Sequence, residues 1–322
     1  MKIKLLAFIS SVLLLAASDA IAEEPLTLRF GHFPNITHAQ GVIAHGLSRQ
    51  GKGWFEERLG PGVRIQWFTY NAGPSAMEAI FAGSLDLTYV GQGPALNAHF
   101  KSNGAEVRVI SGAATGGAAL VVRPDEGIKS AADFRGKTIA TPQLGNTQDI
   151  SCRAWLKAQG LKVTLIGGEA RVLPVANPDQ LAAFQQKQVA GVWTVEPWVT
   201  RLEREAGGKV FLEDREVQTT WLVASAKFLE QHRDLASKIA AANAELTTWI
   251  QSHADEAQKI LAAELKEETK AGIPPEAIAQ AWKRLHFTTE LSPDLLRKAV
   301  EDGKEAGFFK GSTDFSKLIV TP

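Results

Sequence analysis

Cysteine is almost missing from this sequence: Cys152 stands alone among 322 residues. A single thiol forms no internal disulfide, so the fold relies on packing even in an oxidising compartment. Set between Ile150 and Trp155 in a helical pattern, Cys152 reads as a small buried apolar residue and not as a nucleophile. Net charge is missing too. The 35 basic residues match the 35 acidic ones, and a neutral chain has no global electrostatic attraction for nucleic acid or an acidic membrane. No Gly-x-Ser-x-Gly elbow and no Walker sequence occurs, which removes the two commonest signatures of a nucleophilic serine and a phosphate-cradling loop.

Long apolar runs are confined to the N-terminus. Lys2 and Lys4 precede the apolar stretch Leu5 to Ala17, and Ala20-Ile21-Ala22 supplies a small-x-small cleavage pattern. This is the layout of a secretory signal peptide, residues 1–22, cleaved near Ala22. The run is too short to span a membrane comfortably, and no cysteine follows it to carry a lipid. The expectation is an exported, soluble, periplasmic protein. Its loss takes away two Lys and one Asp and leaves a formal charge of −1 on a mature chain long enough for two ordinary domains.

Strand-like and helix-like segments then alternate. Leu26–Phe30, Arg64–Phe68, Leu85–Val90 and Val107–Ser111 read as strands, each followed by a loop and, for the first three, a helix. The pattern restarts after Gly112 with Ala119–Val122, Thr138–Ala140, Arg171–Val175 and Gly191–Val195. Such alternation predicts two α/β lobes with largely parallel sheets. Phe81 precedes Pro94 by the spacing at which Phe184 precedes Pro197, a faint echo between the halves. From about Lys227 the chain reads as helical and packs back on the first lobe. The predicted division is lobe one at 23–115 and 226–322, and lobe two at 116–225. Two crossings make a hinge, and a hinge between two lobes makes a cleft.

One device recurs: a loop of small or polar residues directly before a helix. It occurs at Gly73-Pro74-Ser75, Gly91-Gln92-Gly93-Pro94 and Gly145-Asn146-Thr147, and more weakly at Pro34-Asn35-Ile36-Thr37. Helix starts present unpaired N–H groups and a partial positive charge. At the carboxyl ends of strands they hold an oxyanion without Lys or Arg. Plain capping is the competing reading, and Ser75-x-x-Glu78 fits a capping box. His32, His38 and His45 raise the question of a metal, with His38 and His45 able to share a helix face. No carboxylate or cysteine at ligand spacing accompanies them, so neither a metal nor any cofactor is expected. Gly112 to Gly117 lies between two strands and suits a hinge or cleft-lining segment. Trp193 and Trp198 flank Glu196-Pro197 and could wall a pocket or pack between lobes.

At these loops the chain resembles the aliphatic sulfonate, taurine and nitrate family of ABC-importer substrate-binding proteins. The segments that carry the resemblance are Gly31–Gln40, Gly83–Leu87, Gly136–Ala140, Thr141–Asp149 and Val192–Trp198. The resemblance implies a periplasmic-binding-protein-like (type II) fold, α/β, with two lobes, two hinge crossings and a ligand cleft between them. It implies capture of a small anionic solute by hinge closure, an aliphatic sulfonate first and taurine, nitrate, a phosphonate or a heterocyclic metabolite as alternatives. Delivery would be to an ABC permease served by an ATPase, by a monomer with no nucleic-acid partner. Carried over by position, the ligand contacts are His38, Gly73, Pro74, Ser75, Gln92, Gly93, Thr115, Gln143, Gly145, Asn146 and Thr147, faced by Trp193 and Glu196. Glu196 stays open between pairing a ligand amine and holding the hinge. A sensory module fits the sequence equally. An enzyme resembling the pyrimidine-synthesising relatives does not, because their cysteine-rich iron motif cannot be built from Cys152 alone.

Overall fold

The computed structural model describes residues 25–322; the signal-peptide reading at 1–22 lies outside them. The chain opens with β1 (Leu26–His32), α1 (Ala39–Arg49), α2 (Trp54–Leu59), β2 (Val63–Thr69) and α3 (Gly73–Phe81). β3 (Leu87–Val90), α4 (Gln92–Lys101) and the long β4 (Val107–Gly116) follow. A second unit contains β5 (Ala118–Val122), β6 (Thr138–Thr141), α5 (Thr147–Ala158), β7 (Arg171–Pro174), α6 (Asn177–Gln185), β8 (Gly191–Val195), α7 (Trp198–Ala206) and β9 (Lys209–Asp214). The chain returns with β10 (Thr220–Ser225), α8 (Ala226–Gln231), α9 (Arg233–Ser252), α10 (Ala254–Thr269), α11 (Pro275–Trp282), β11 (Leu285–Phe287) and α12 (Pro293–Glu305).

Two sheets result, in the orders β11-β4-β10-β3-β1-β2 and β7-β6-β8-β5-β9. β1 runs parallel to β2 and β3, while β10 is antiparallel to β3 and β4. Period-two alternation sets the burial. In β1, Leu28 and Phe30 face a core in which the Phe30 ring stacks on Trp67 at 4.9 Å and on Tyr89 at 5.5 Å. Each such aromatic pair adds about 0.5–1.5 kcal/mol beyond its buried area. The helical return packs on this first lobe as expected: Ala236, Ile239, Leu246, Ile250, Leu261 and Leu265 join the same core. Lobe two has its own core, in which Cys152 is buried and its thiol is pushed up by desolvation. The echo between halves corresponds to a shared order, with α3–β3–α4 matched by α6–β8–α7.

Two expectations change. The segment to residue 225, placed in lobe two, contains β10, which pairs with β3 and β4 of lobe one. The return crossing therefore lies between Asp214 and Thr220. β10 has the apolar run of a strand buried on both faces, and such a run does not say which sheet it joins. The helical reading beyond Lys227 also misses β11, three residues that pair with the far end of β4.

The crossings touch. Gly116 N–H donates to Val217 O at 2.8 Å, and Thr219 Oγ1 donates to Gly116 O at 2.9 Å. Gly116 and Gly117 sit at φ +77° and +72°, and a Cβ on Gly116 would lie 2.6 Å from Arg284 O. Only glycine turns the chain here without backbone strain or collision.

Candidate functional site

Five helix starts meet between the lobes. Asn35, Thr37 and His38 come from the short helical turn leading into α1, Asn71 from the loop before α3, and Gly91 from the start of α4. Lobe two supplies Asn146, Thr147 and Gln148 from α5 and Asn177 from α6. With Phe33, Val195 and Thr219 they line a cavity of about 10 Å³, room for roughly one water. The lobes are thus closed on each other. Among the described residues, no Lys, Arg, Asp or Glu lines this cavity.

Capping does not consume these helix starts. The residues before α3, α4, α5 and α6, namely Ala72, Gly91, Asn146 and Ala176, make no side-chain cap hydrogen bond. The capping box that Ser75 and Glu78 fit does not form, because α3 already begins at Gly73 and Ser75 is its third residue; Ser75 faces Gln143 Oε1 across the lobes at 3.5 Å. Serines do cap α8 and α12, at Ser225 and Ser292. The starts of α3, α4, α5 and α6 converge on one cavity. Each contributes about 0.3–1 kcal/mol to a bound anion when exposed and up to ~2 kcal/mol when partly buried.

Among the described residues, His38 is the one titratable side chain lining the cavity. Burial, with His32 nearby, lowers its pKa well below the usual histidine value, so it is neutral at pH 7. Its Nδ1 is buried without a partner and its ring stacks on Phe33 at 4.2 Å. A neutral imidazole with one free nitrogen accepts or donates one hydrogen bond and adds no charge.

The contacts carried over from sequence fall into groups. His38, Asn146 and Thr147 line the cavity itself. Gln92 and Gly93 lie one step along, around a small void that also touches Thr147; Gly93 N–H donates to Thr147 Oγ1 at 3.1 Å, and Gln92 Oε1 is buried without a partner. Gly73 and Pro74 open α3 at the rim, where Ser75 meets Gln143. Thr115 pairs with His286 in the sheet, at the hinge and away from the cavity lining. The Gly145 N–H is already taken by Asp149 Oδ2 at 3.0 Å. Asp149 in turn is held by Arg153 and by Thr141 Oγ1, so it positions the start of α5.

Trp193 belongs to the lobe-two core and lines a neighbouring cavity of about 250 Å³ together with Trp155, Leu212, Val217 and Asp214. Glu196 is fully buried. It accepts from Arg284 Nη1 at 2.7 Å, from Thr200 N–H at 3.0 Å and from Thr200 Oγ1 at 2.9 Å. Desolvation raises its pKa while Arg284 and Thr200 pull against that. With its oxygens so engaged, Glu196 joins lobe two to the segment before β11 and does not line the cavity. Trp198 closes the same seam, its Nε1 donating to Asn35 Oδ1 at 3.0 Å.

Sequence reasoning missed Asn71, Gln148, Asn177 and Thr219 as lining residues. Asn177 carried a signal, since it precedes Pro178 at a helix start; Thr219 carried none. A further surprise concerns the histidines. Glu268 of α10 comes within 3.0 Å of His32 Nε2 and 2.9 Å of His45 Nδ1, supplying the carboxylate that local spacing did not show.

The chain is similar to known binding proteins in sequence and in fold. The chain is 25% identical over 276 residues to a putative binding protein of Brucella abortus, covering 82% of this chain and 79% of that one. It is 25% identical over 274 residues to a putative aliphatic sulfonates-binding protein of Escherichia coli, covering 83% and 79%. Its fold matches the alkanesulfonate-binding protein of Xanthomonas axonopodis pv. citri, solved bound to MOPS, with a TM-score of 0.74 at 19% identity over 90% of this chain and 96% of that one. The expected two-lobed, periplasmic-binding-protein-like architecture is the one found. The profile of the NMT1-like family matches residues 21–265, most of the chain, and the chain belongs to that family.

Proposed function

We propose that the protein is a periplasmic solute-binding protein of an ABC importer that captures a small anion, an aliphatic sulfonate, by closure of its two lobes. The observation that carries this reading is the convergence of uncapped helix starts on a cavity that no charged side chain lines. Such a site favours a compact oxyanion through N–H groups and helix dipoles and offers a cation no carboxylate. Closed, the cavity is too small for an alkyl tail. The void around Gln92, Gly93 and Thr147 shares Gln92, Ser151 and Asp302 with the 250 Å³ cavity, where Trp155, Trp193 and Leu212 offer a tail an apolar wall beside Glu213, Asp214, Glu216 and Lys298. The names of the sulfonate-binding relatives point the same way.

In this mechanism the solute docks on one lobe, and contacts from the other stabilise the closed state. The Gly93–Thr147 and Asn35–Trp198 hydrogen bonds form only when the lobes meet. The closed monomer then docks on a permease pair served by a cytoplasmic ATPase. No step of covalent chemistry is assigned.

Isothermal calorimetry of the mature chain against a series of alkanesulfonates, taurine, nitrate and a phosphonate tests the reading. Binding of a sulfonate that tightens with chain length supports both cavities in use. Equal binding of nitrate confines the ligand to the helix-start cavity. No heat with any anion overturns the anion assignment.

A further inference from the structure

We propose that His32, His45 and Glu268 form a site for one divalent transition-metal ion, which fastens α10 to β1 and α1. His32 ends β1, His45 lies in α1, and Glu268 lies in the last turn of α10. Their ligand atoms form a closed triangle. His32 Nε2 is 3.0 Å from His45 Nδ1, His32 Nε2 is 3.0 Å from Glu268 Oε1, and His45 Nδ1 is 2.9 Å from Glu268 Oε1. The side chains of His32 and Glu268 are buried, and His45 stacks flat on Trp67 at 5.3 Å.

Protons alone do not satisfy this triangle. His32 Nδ1 lies 3.3 Å from Phe33 O, so in the neutral ring its proton points there and Nε2 carries a lone pair; a second proton at Nε2 would serve one contact and leave another unbridged. Glu268 Oε1 already accepts from Thr69 Oγ1 at 3.1 Å. His45 Nδ1 has at most one proton, which serves one of its two contacts. The remaining contact brings two acceptors together at hydrogen-bond distance. A cation facing all three atoms relieves every contact at once. Ligands around a metal ~2.1 Å away lie roughly 3.0 Å apart at octahedral angles and roughly 3.4 Å apart at tetrahedral ones, so the spacing seen matches an octahedral face and would open by about 0.4 Å around tetrahedral zinc. The His32 Nδ1–carbonyl bond is the arrangement that ligating histidines use to fix their tautomer.

A second observation is independent of the triangle. Glu268 Oε2 is buried with no hydrogen-bond partner. An ion bound bidentately accounts for it. Glu264 Oε1 stands 3.3 Å from His45 Nδ1 and is a further donor, with Arg49 Nε at 2.8 Å from that same oxygen keeping the local charge from accumulating. Two imidazole nitrogens and a carboxylate select zinc and its neighbours over calcium or magnesium, which take oxygen sets. The three residues do not line the solute cavity, so the ion is a fastener and not cargo.

The test uses the mature, tag-free chain, stripped with chelator and dialysed against one equivalent of zinc or cobalt. Elemental analysis should find about one zinc per chain, cobalt should give a visible d–d spectrum, and zinc should raise Tm. His45→Gln and Glu268→Gln should each weaken zinc affinity by ~100-fold or more, beyond the loss known for outer-shell partners. His286→Gln, an exposed histidine elsewhere, should change nothing. If wild type takes up no stoichiometric metal, the cluster is an imidazolium–carboxylate pair and the proposal fails, whatever the variants do. Stoichiometric binding that survives both substitutions also overturns it.

Discussion

Gly91→Ala should cripple solute capture while sparing the fold. Gly91 precedes α4 at φ −68° and ψ 156°, ordinary extended backbone that alanine adopts freely. Locally the change is neutral or slightly stabilising, because alanine loses less chain entropy on folding. Across the cleft the outcome differs. A Cβ at this position lies 2.3 Å from Thr147 Oγ1 and 3.3 Å from Thr219 O when the lobes are shut. An ordinary contact needs about 1 Å more, so closure must strain or stop short. Strain of this kind costs about 1–3 kcal/mol, and loss of the Gly93 N–H to Thr147 Oγ1 bond costs about 1 kcal/mol more. Solute affinity should therefore fall by roughly 30- to 1,000-fold at about 1.4 kcal/mol per decade.

The assay is calorimetric titration with the tightest solute, alongside thermal unfolding of the free protein. Thr147→Ala removes the clashing oxygen and leaves Thr147 Cβ at 3.4 Å, an ordinary contact. The Gly91→Ala/Thr147→Ala double variant should accordingly bind more tightly than Gly91→Ala alone. Wild-type affinity in Gly91→Ala, or no rescue in the double variant, would refute closure through this contact.

Other predictions rest on buried charge. Burial pushes the Asp214 carboxyl from 3.8 up to about 6, with Asp302 and Glu216 adding to the effect and Lys298 opposing it. The unfolded chain releases this proton first, so the group subtracts stability as pH rises from about 4 to 6. Asp214→Asn should be more stable than wild type by about 1–3 kcal/mol at pH 7, with the gain vanishing near pH 4 in chemical denaturation. Arg284→Met strands Glu196 without its cation and should cost about 3–5 kcal/mol at pH 7. The cost should shrink in acid, where Glu196 takes up a proton; an unchanged pH profile would count against the pairing. Cys152 should resist thiol reagents in the native state and react on unfolding.

Much of this site was legible in the sequence because its chemistry is local. A loop before a helix is a contiguous signal, and Gly91 to Gly93 and Asn146 to Thr147 were found that way. The glycine pair at 116–117 was also visible, since adjacent glycines between two apolar strands have few other uses. What escaped depends on partners far apart in the chain. Glu196 could not be settled before Arg284, 88 residues on, was seen beside it. Glu268 lies 223 residues from His45, so no ligand spacing revealed it. Ser75 shows the opposite error: the local capping pattern placed the helix start at Ser75, whereas α3 begins at Gly73. The boundary at 225 fell past β10 for a related reason: Thr220–Ser225 was not read as a strand, and its apolar run does not name the sheet it joins.

Backbone amide NMR of the mature chain, titrated with an alkanesulfonate, tests directly whether helix starts hold the solute. The amides of Gln92, Thr147, Gln148 and Asn177 should show the largest shifts and the strongest protection from exchange. Saturable binding that leaves those amides unmoved would contradict it.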